Sequence, residues 1–186
     1  VCYICSLRMS EIKWVVPMSS GNHVIEFSHG TTTGSRLIKV DGKEVVRQDW
    51  MFRLVGEETF TVGPKKVPAR LKIEAVGGVT YTYKLYLKEK LLEKYVREAA
   101  KNMLIWKVIL PSGFKQRIAI EKDTLDIWVG NEKIEAESGF TDNGSEQLFV
   151  LEGKQFQILV FTSGKRHEGI IHQLIYDGEL CVPQDP

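Results

Sequence analysis

The chain has 186 residues, of which 43% are hydrophobic and 26% charged, and its net charge is +1. These proportions exclude an intrinsically disordered polymer, and a near-neutral total gives no global field toward nucleic acid or an anionic membrane. No apolar run approaches the ~20 residues of a membrane-spanning helix. The three cysteines, Cys2, Cys5 and Cys181, cannot staple the body of the chain, a usage that fits a reducing compartment such as the cytoplasm.

Residues 1–10 read as an N-terminal tail. Cys2-x-x-Cys5 lacks the second ligand pair of a zinc site and the βαβ setting of a redox motif. Met9-Ser10-Glu11 makes a natural start, so residues 1–8 are expected to be an extension. Strand-type alternation follows, first in His23–His29, where Ile25 and Phe27 share a face. Gly30-Thr31-Thr32-Thr33-Gly34-Ser35-Arg36 lacks the Gly-Lys-Ser/Thr ending of a phosphate loop and reads as a connection between strands. Leu71–Ala75 alternates cleanly, as does Tyr81–Leu87, with Tyr81, Tyr83, Leu85 and Leu87 inward. Glu89–Lys101 has one apolar face at helical spacing, formed by Leu91, Leu92, Tyr95, Val96 and Ala99. Later runs, Phe156–Val160 and Ile170–Ile175, alternate again. Turn signals separate these runs, among them Ser20-Gly21, Asp41-Gly42, Gly77-Gly78, Ser112-Gly113 and Asp177-Gly178.

The runs match one another in order. Trp14 with Ser20-Gly21 answers to Trp106 with Ser112-Gly113, and Ile25-x-Phe27 to Ile118-x-Ile120. Ile38-x-Val40 answers to Ile127-x-Val129, Phe52–Gly56 to Phe140–Gly144, and Tyr83-x-Leu85-x-Leu87 to His172-x-Leu174-x-Tyr176. The fold class is therefore all-β: two tandem antiparallel β-sandwich domains related by an internal repeat. The expected limits are 11–93 for the first sandwich, 94–104 for a linker and 105–186 for the second. Within this scheme Leu91-Leu92 ends a hairpin rather than starting a helix.

Chemistry-bearing constellations are scarce. His23 and His29 share a strand face but stand about 20 Å apart at strand rise, too far for one metal ion. Glu57 and Glu58 are adjacent on a strand and face opposite ways, unlike a glycosidase pair. No serine or cysteine sits in a nucleophile motif. No catalytic residue, metal or cofactor is expected, and core or interdomain packing is the expected role of Trp50. The largest length difference between the copies is Phe161–Gly169, which carries Lys165, Arg166 and His167 between Gly164 and Gly169. These three are the candidate protein-interaction residues, beside the plainer reading of a solvated β-turn whose charges blunt a sheet edge.

One family shares the most specific runs: Ile25-Glu26-Phe27 with His29-Gly30-Thr31-Thr32, Val40-Asp41-Gly42-Lys43-Glu44, Trp50-Met51-Phe52 with Leu54-Val55-Gly56, and Glu58-Thr59-Phe60. Glu121-Lys122-Asp123, Trp128, Ser163-Gly164-Lys165-Arg166 and Glu168–His172 extend them. From about Trp14 to Pro183 the chain resembles the Fas apoptotic inhibitory molecule family. The resemblance implies a cytosolic, non-catalytic regulator built of two β-sandwiches. Its protein partners would be death-receptor or survival signalling components, or aggregation-prone clients. Residues 1–8 have no counterpart in the family, and Val129 stands where the resemblance leads one to expect a cysteine, so no redox role carries over. Two further functions stay open on the residues alone: an ATP-independent holdase acting through exposed apolar surface or strand edges, and a sugar-binding sandwich using Trp50 and Trp128.

Overall fold

The computed structural model describes residues 9–77, 80–165 and 168–184. Its chain divides into two compact units between Ala99 and Ala100. The first unit opens with four antiparallel strands in sequence order: β1 (Met9–Met18), β2 (Gly21–Gly30), β3 (Arg36–Val40) and β4 (Lys43–Gln48). A second meander follows, β5 (Gly56–Val62), β6 (Val67–Ala75), β7 (Tyr81–Leu87) and the two-residue β8 (Lys90–Leu91). Period-2 alternation fixes which side chains meet. Ile25, Phe27, Ile38 and Val40 come from the first sheet, and Phe60, Leu71, Ile73, Leu85 and Leu87 from the second; all are buried in one apolar cluster. The two sheets thus pack face to face as a sandwich.

The hairpin β7–β8 turns on Lys88 and Glu89, both left-handed at φ 46° and 60°, a two-residue turn of the twist-compatible type. Only Leu91 of the Leu91-Leu92 pair belongs to that hairpin. Leu92 already begins α1 (Leu92–Asn102), and Leu92 and Tyr95 pack against the first unit's core. Glu93 in the first turn and Lys101 in the last complement the helix dipole.

The second unit begins with β9 (Met103–Ile109), β10 (Lys115–Glu121), β11 (Ile127–Val129) and β12 (Glu132–Ile134), again one antiparallel sheet. Its second sheet has five strands: β13 (Glu137–Thr141), β14 (Gly144–Leu151), β15 (Lys154–Thr162), β16 (Ile170–Tyr176) and β17 (Glu179–Cys181). Trp106, Ile118, Ile120 and Ile127 from the first sheet meet Phe149, Phe156, Ile158 and Leu174 from the second. Trp14 pairs with Ile25 across β1–β2, and Trp106 pairs with Ile118 across β9–β10.

Candidate functional site

The segment joining β4 to β5, residues 49–55, crosses from one sheet of the first unit to the other. It forms no strand, so its backbone groups need partners elsewhere. Arg36, at the start of β3 and 3% exposed, supplies them. Its Nη2 donates to the carbonyls of Arg53 (3.1 Å) and Val55 (2.9 Å), while Nη1 donates to Glu58 Oε1 at 2.5 Å. From the other side the Met51 amide donates to the Thr33 carbonyl at 3.1 Å. Gly34 lets this approach happen. Its φ is +70°, and a Cβ there would lie 2.6 Å from the Met51 carbonyl oxygen.

This anchoring holds two aromatic side chains out in solvent. Trp50 is 66% exposed and Phe52 98% exposed. The packing role expected of Trp50 is therefore corrected: its segment is tied down by backbone bonds, and the ring is left uncovered. Large apolar rings in water cost free energy without contributing to the fold, and an anchored loop that displays them is preorganised for contact. Several of the resemblance-bearing residues meet here: Trp50–Phe52 and Leu54-Val55 lie in the held segment, and Glu58 is bonded to Arg36.

Behind the clamp lies a buried aromatic group. His29 is fully buried, pairs with Arg36 on the β2–β3 ladder, and accepts or donates a 3.0 Å bond between Nδ1 and the Tyr83 hydroxyl. Phe27 stacks on it and Tyr81 meets it edge-on. Burial, and secondarily the positive Arg36, hold its imidazole below the ordinary histidine range. His23 is also buried. It links Ser20 Oγ (2.8 Å from Nε2) to Asp41 Oδ2 (2.7 Å from Nδ1), and Asp41 Oδ1 accepts from the Val24 amide. The order serine–histidine–aspartate resembles a nucleophile relay, but Ser20 is 3% exposed and His23 6% exposed, so Oγ is not presented to a substrate. What the chain of bonds does is tie the β1–β2 turn to the β3–β4 turn.

Of the three loop residues singled out by sequence, Lys165 is exposed and ion-pairs with Glu168 at 3.0 Å, while its amide donates to Ser163 Oγ. Hydrogen bonds from Ser163 and Lys165 hold the Glu168 carboxyl below its usual value. Arg166 and His167 lie outside the described residues. Trp128 is 2% exposed among Met103, Ile105 and Ala119, which removes it from any stacking surface. Glu57 faces outward to Arg70 while Glu58 faces inward to Arg36, the split that strand alternation requires. The clamp itself was beyond sequence reasoning. Arg36 shares the buried face of β3 with Ile38 and Val40 at period 2, a signal masked by its charge and by the polar run that precedes it.

The sequence model of Fas apoptotic inhibitory molecule (FAIM1) matches residues 10–184. Fas apoptotic inhibitory molecule 1 of Bos taurus is 47% identical over 164 residues, covering 88% of this chain and 81% of that protein. The Rattus norvegicus protein of the same name is 44% identical over 177 residues, 94% of this chain and 88% of the relative. The Homo sapiens protein is 45% identical over 164 residues, 88% and 91%. An all-β chain matched along nearly its whole length, at this identity to several relatives of one name, belongs to the Fas apoptotic inhibitory molecule family.

Proposed function

We propose that this chain is a non-enzymatic, cytoplasmic regulator that restrains death-receptor apoptosis by binding protein components of the death or survival pathway. The clamped segment 49–55 is its principal contact surface, and Lys165, Arg166 and His167 form a second. The observation that carries this reading is the pairing of a 98%-exposed Phe52 and a 66%-exposed Trp50 with a backbone fixed by the buried Arg36. Interface energy concentrates in such rigid aromatic anchors. The test is complementation: cells lacking the endogenous protein receive wild type, Trp50→Ala/Phe52→Ala, or Lys165→Glu/Arg166→Glu, and are challenged through Fas. The aromatic pair should lose protection while melting within about 2 °C of wild type, since exposed substitutions change stability little. Full protection by both folded variants would end the proposal.

Suppression of aggregation is a second reading, favoured by the further exposed rings of Phe140 (97%) and Phe114 (72%). Light scattering of a heat-stressed client without ATP decides it. Scattering unchanged by an equimolar amount of the protein would remove it.

A further inference from the structure

The two units treat one sheet edge differently. In each unit the last four strands of the second sheet run as one meander, β5–β8 in the first and β14–β17 in the second. The far side of β14 carries β13, in antiparallel register from Glu137↔Leu148 to Thr141↔Gly144. The far side of β5 carries no strand among the described residues, and β6 is its one ladder partner there. The connecting segment that becomes β13 in the second unit forms no strand in the first, where its Arg53 and Val55 carbonyls accept from Arg36. An edge whose counterpart is occupied has been left open.

Other edges in the described structure are blunted by recognised devices. β1 carries Glu11, Lys13 and Pro17. β4 carries Lys43, Glu44 and Arg47, and a bulge interrupts its ladder at Ile38/Lys39. β8, β12 and β17 are two or three residues long. β9 is bridged through Ile105 to Gln184. β13 is short and contains Glu137 and Gly139. By contrast β5 ends in Thr59-Phe60-Thr61-Val62, uncharged and rich in strand-forming residues. Its carboxylates are already engaged, Glu58 by Arg36 and Glu57 by Arg70. Thr59 and Thr61 are exposed, and the held segment that carries Trp50 and Phe52 runs directly into β5 at Gly56.

We propose that the open edge of β5 is a strand-addition site that takes an extended segment of a partner protein, antiparallel to Gly56–Val62. The occupant is an unpaired extended stretch of mostly polar residues with an aromatic among them, like Glu137–Thr141, the strand that the second unit lays on its corresponding edge. Backbone bonds to β5 supply the affinity, and Trp50 and Phe52 grip the segment's end. This deepens the protein-binding reading and rests on it. The second unit's own β13 shows which geometry such a strand adopts.

The experiment uses the full-length, isotope-labelled protein and a synthetic peptide of residues 135–143, the segment that the fold itself lays on the corresponding edge. Amide shifts and slowed hydrogen exchange are expected along Gly56–Val62. Two further peptides are N-methylated, one at Glu137, Gly139 and Thr141 and one at Ser138 and Phe140. Because an edge ladder uses every second backbone amide, one analogue should lose binding and the other keep it. Loss with both, loss with neither, or no perturbation of β5 at millimolar peptide would overturn strand addition. Shifts confined to the surroundings of Trp50 and Phe52 would also overturn it, yet leave the aromatic loop as a contact surface. Conversely, if Trp50→Ala/Phe52→Ala still protects cells while the peptide ladder forms, the loop reading fails and the edge stands.

Discussion

Replacing Arg36 with alanine removes the group on which both the core and the loop of the first unit depend. The Arg36 and Glu58 side chains are 2% and 11% exposed, so the pair is buried on both sides. Withdrawing one partner of such a pair strands the other charge out of water and costs about 3–5 kcal/mol. The two carbonyls released, those of Arg53 and Val55, belong to a surface segment and regain water, so they add about 1 kcal/mol at most. A unit of this size has only about 5–15 kcal/mol in hand, and each kcal/mol lowers its melting point by roughly 4–8 °C. The first unit should therefore melt at least about 12 °C below wild type while the second is unchanged. Urea titration read by amide exchange in β2 and β6 reports the first unit separately, which matters because a two-unit chain need not unfold in one step. The double variant Arg36→Met/Glu58→Leu should recover most of the core stability, since removing both charges leaves none stranded, but it should not restore the loop. A single-variant loss below about 1 kcal/mol, the scale of an exposed pair, would refute this account of the clamp.

Three other outcomes follow from the same geometry. Because burial, and secondarily Arg36, hold His29 below its ordinary value, the unfolded chain binds a proton before the folded one as pH falls. The contribution of this group is intact above the unfolded pKa of about 6.5 and is lost as pH drops from there through the lowered folded value. His29→Gln should flatten the stability slope of the first unit between about pH 7 and pH 5, and an unchanged slope would remove His29 as its source. Gly34→Ala puts a methyl 2.6 Å from the Met51 carbonyl at φ +70° and should cost about 2 kcal/mol or more, with a shift in Trp50 fluorescence as the loop moves off; an unchanged loop would contradict the close approach. Asp41→Ala deletes the bonds to His23 and to the Val24 amide and should cost about 1–2 kcal/mol. Asp41→Asn tolerates the left-handed φ of 52° and keeps an acceptor for Val24, so equal losses in the two variants, read by urea titration, would argue against these bonds.

The strands with clean alternation were legible in sequence because half-buried strands leave a period of two. Tyr81–Leu87 is β7, and Leu71–Ala75 lies wholly within β6. The Asp41-Gly42 turn is also legible, since both residues adopt the positive φ that the pair favours. Three features were not. The β7–β8 turn uses Lys88 and Glu89 in a left-handed conformation, with no glycine or asparagine to announce it, so the following residues read equally well as the start of a helix. β13 is an exposed edge strand, so it leaves no alternation to read. The clamp depends on a long-range contact, Arg36 with Glu58, that no local pattern encodes. The exposure of Trp50 is illegible in sequence for a related reason. A tryptophan in a sequence carries no mark of whether its backbone is bonded to something that lets the ring stay out.

The difference between the units follows from where a hairpin turns. In the first unit the β2–β3 ladder runs through Phe27↔Ile38 to His29↔Arg36, which sets Arg36 on the sheet and points it at the passing segment. In the second unit the β10–β11 ladder ends at Ile120↔Ile127, and Leu125 lies in the turn at φ 58°. No arginine stands on that ladder, and the space beside it is a groove of about 320 Å³ lined by Leu125, Ile127, Ile134 and Gln147. With no guanidinium to donate to its carbonyls, the segment after β12 satisfies its backbone by pairing with β14. A buried polar partner and an added strand are two solutions to the same requirement. The first leaves β5 without a further strand among the described residues; the second covers the corresponding edge with β13. The contact surface proposed for the first unit thus depends on a buried arginine behind it.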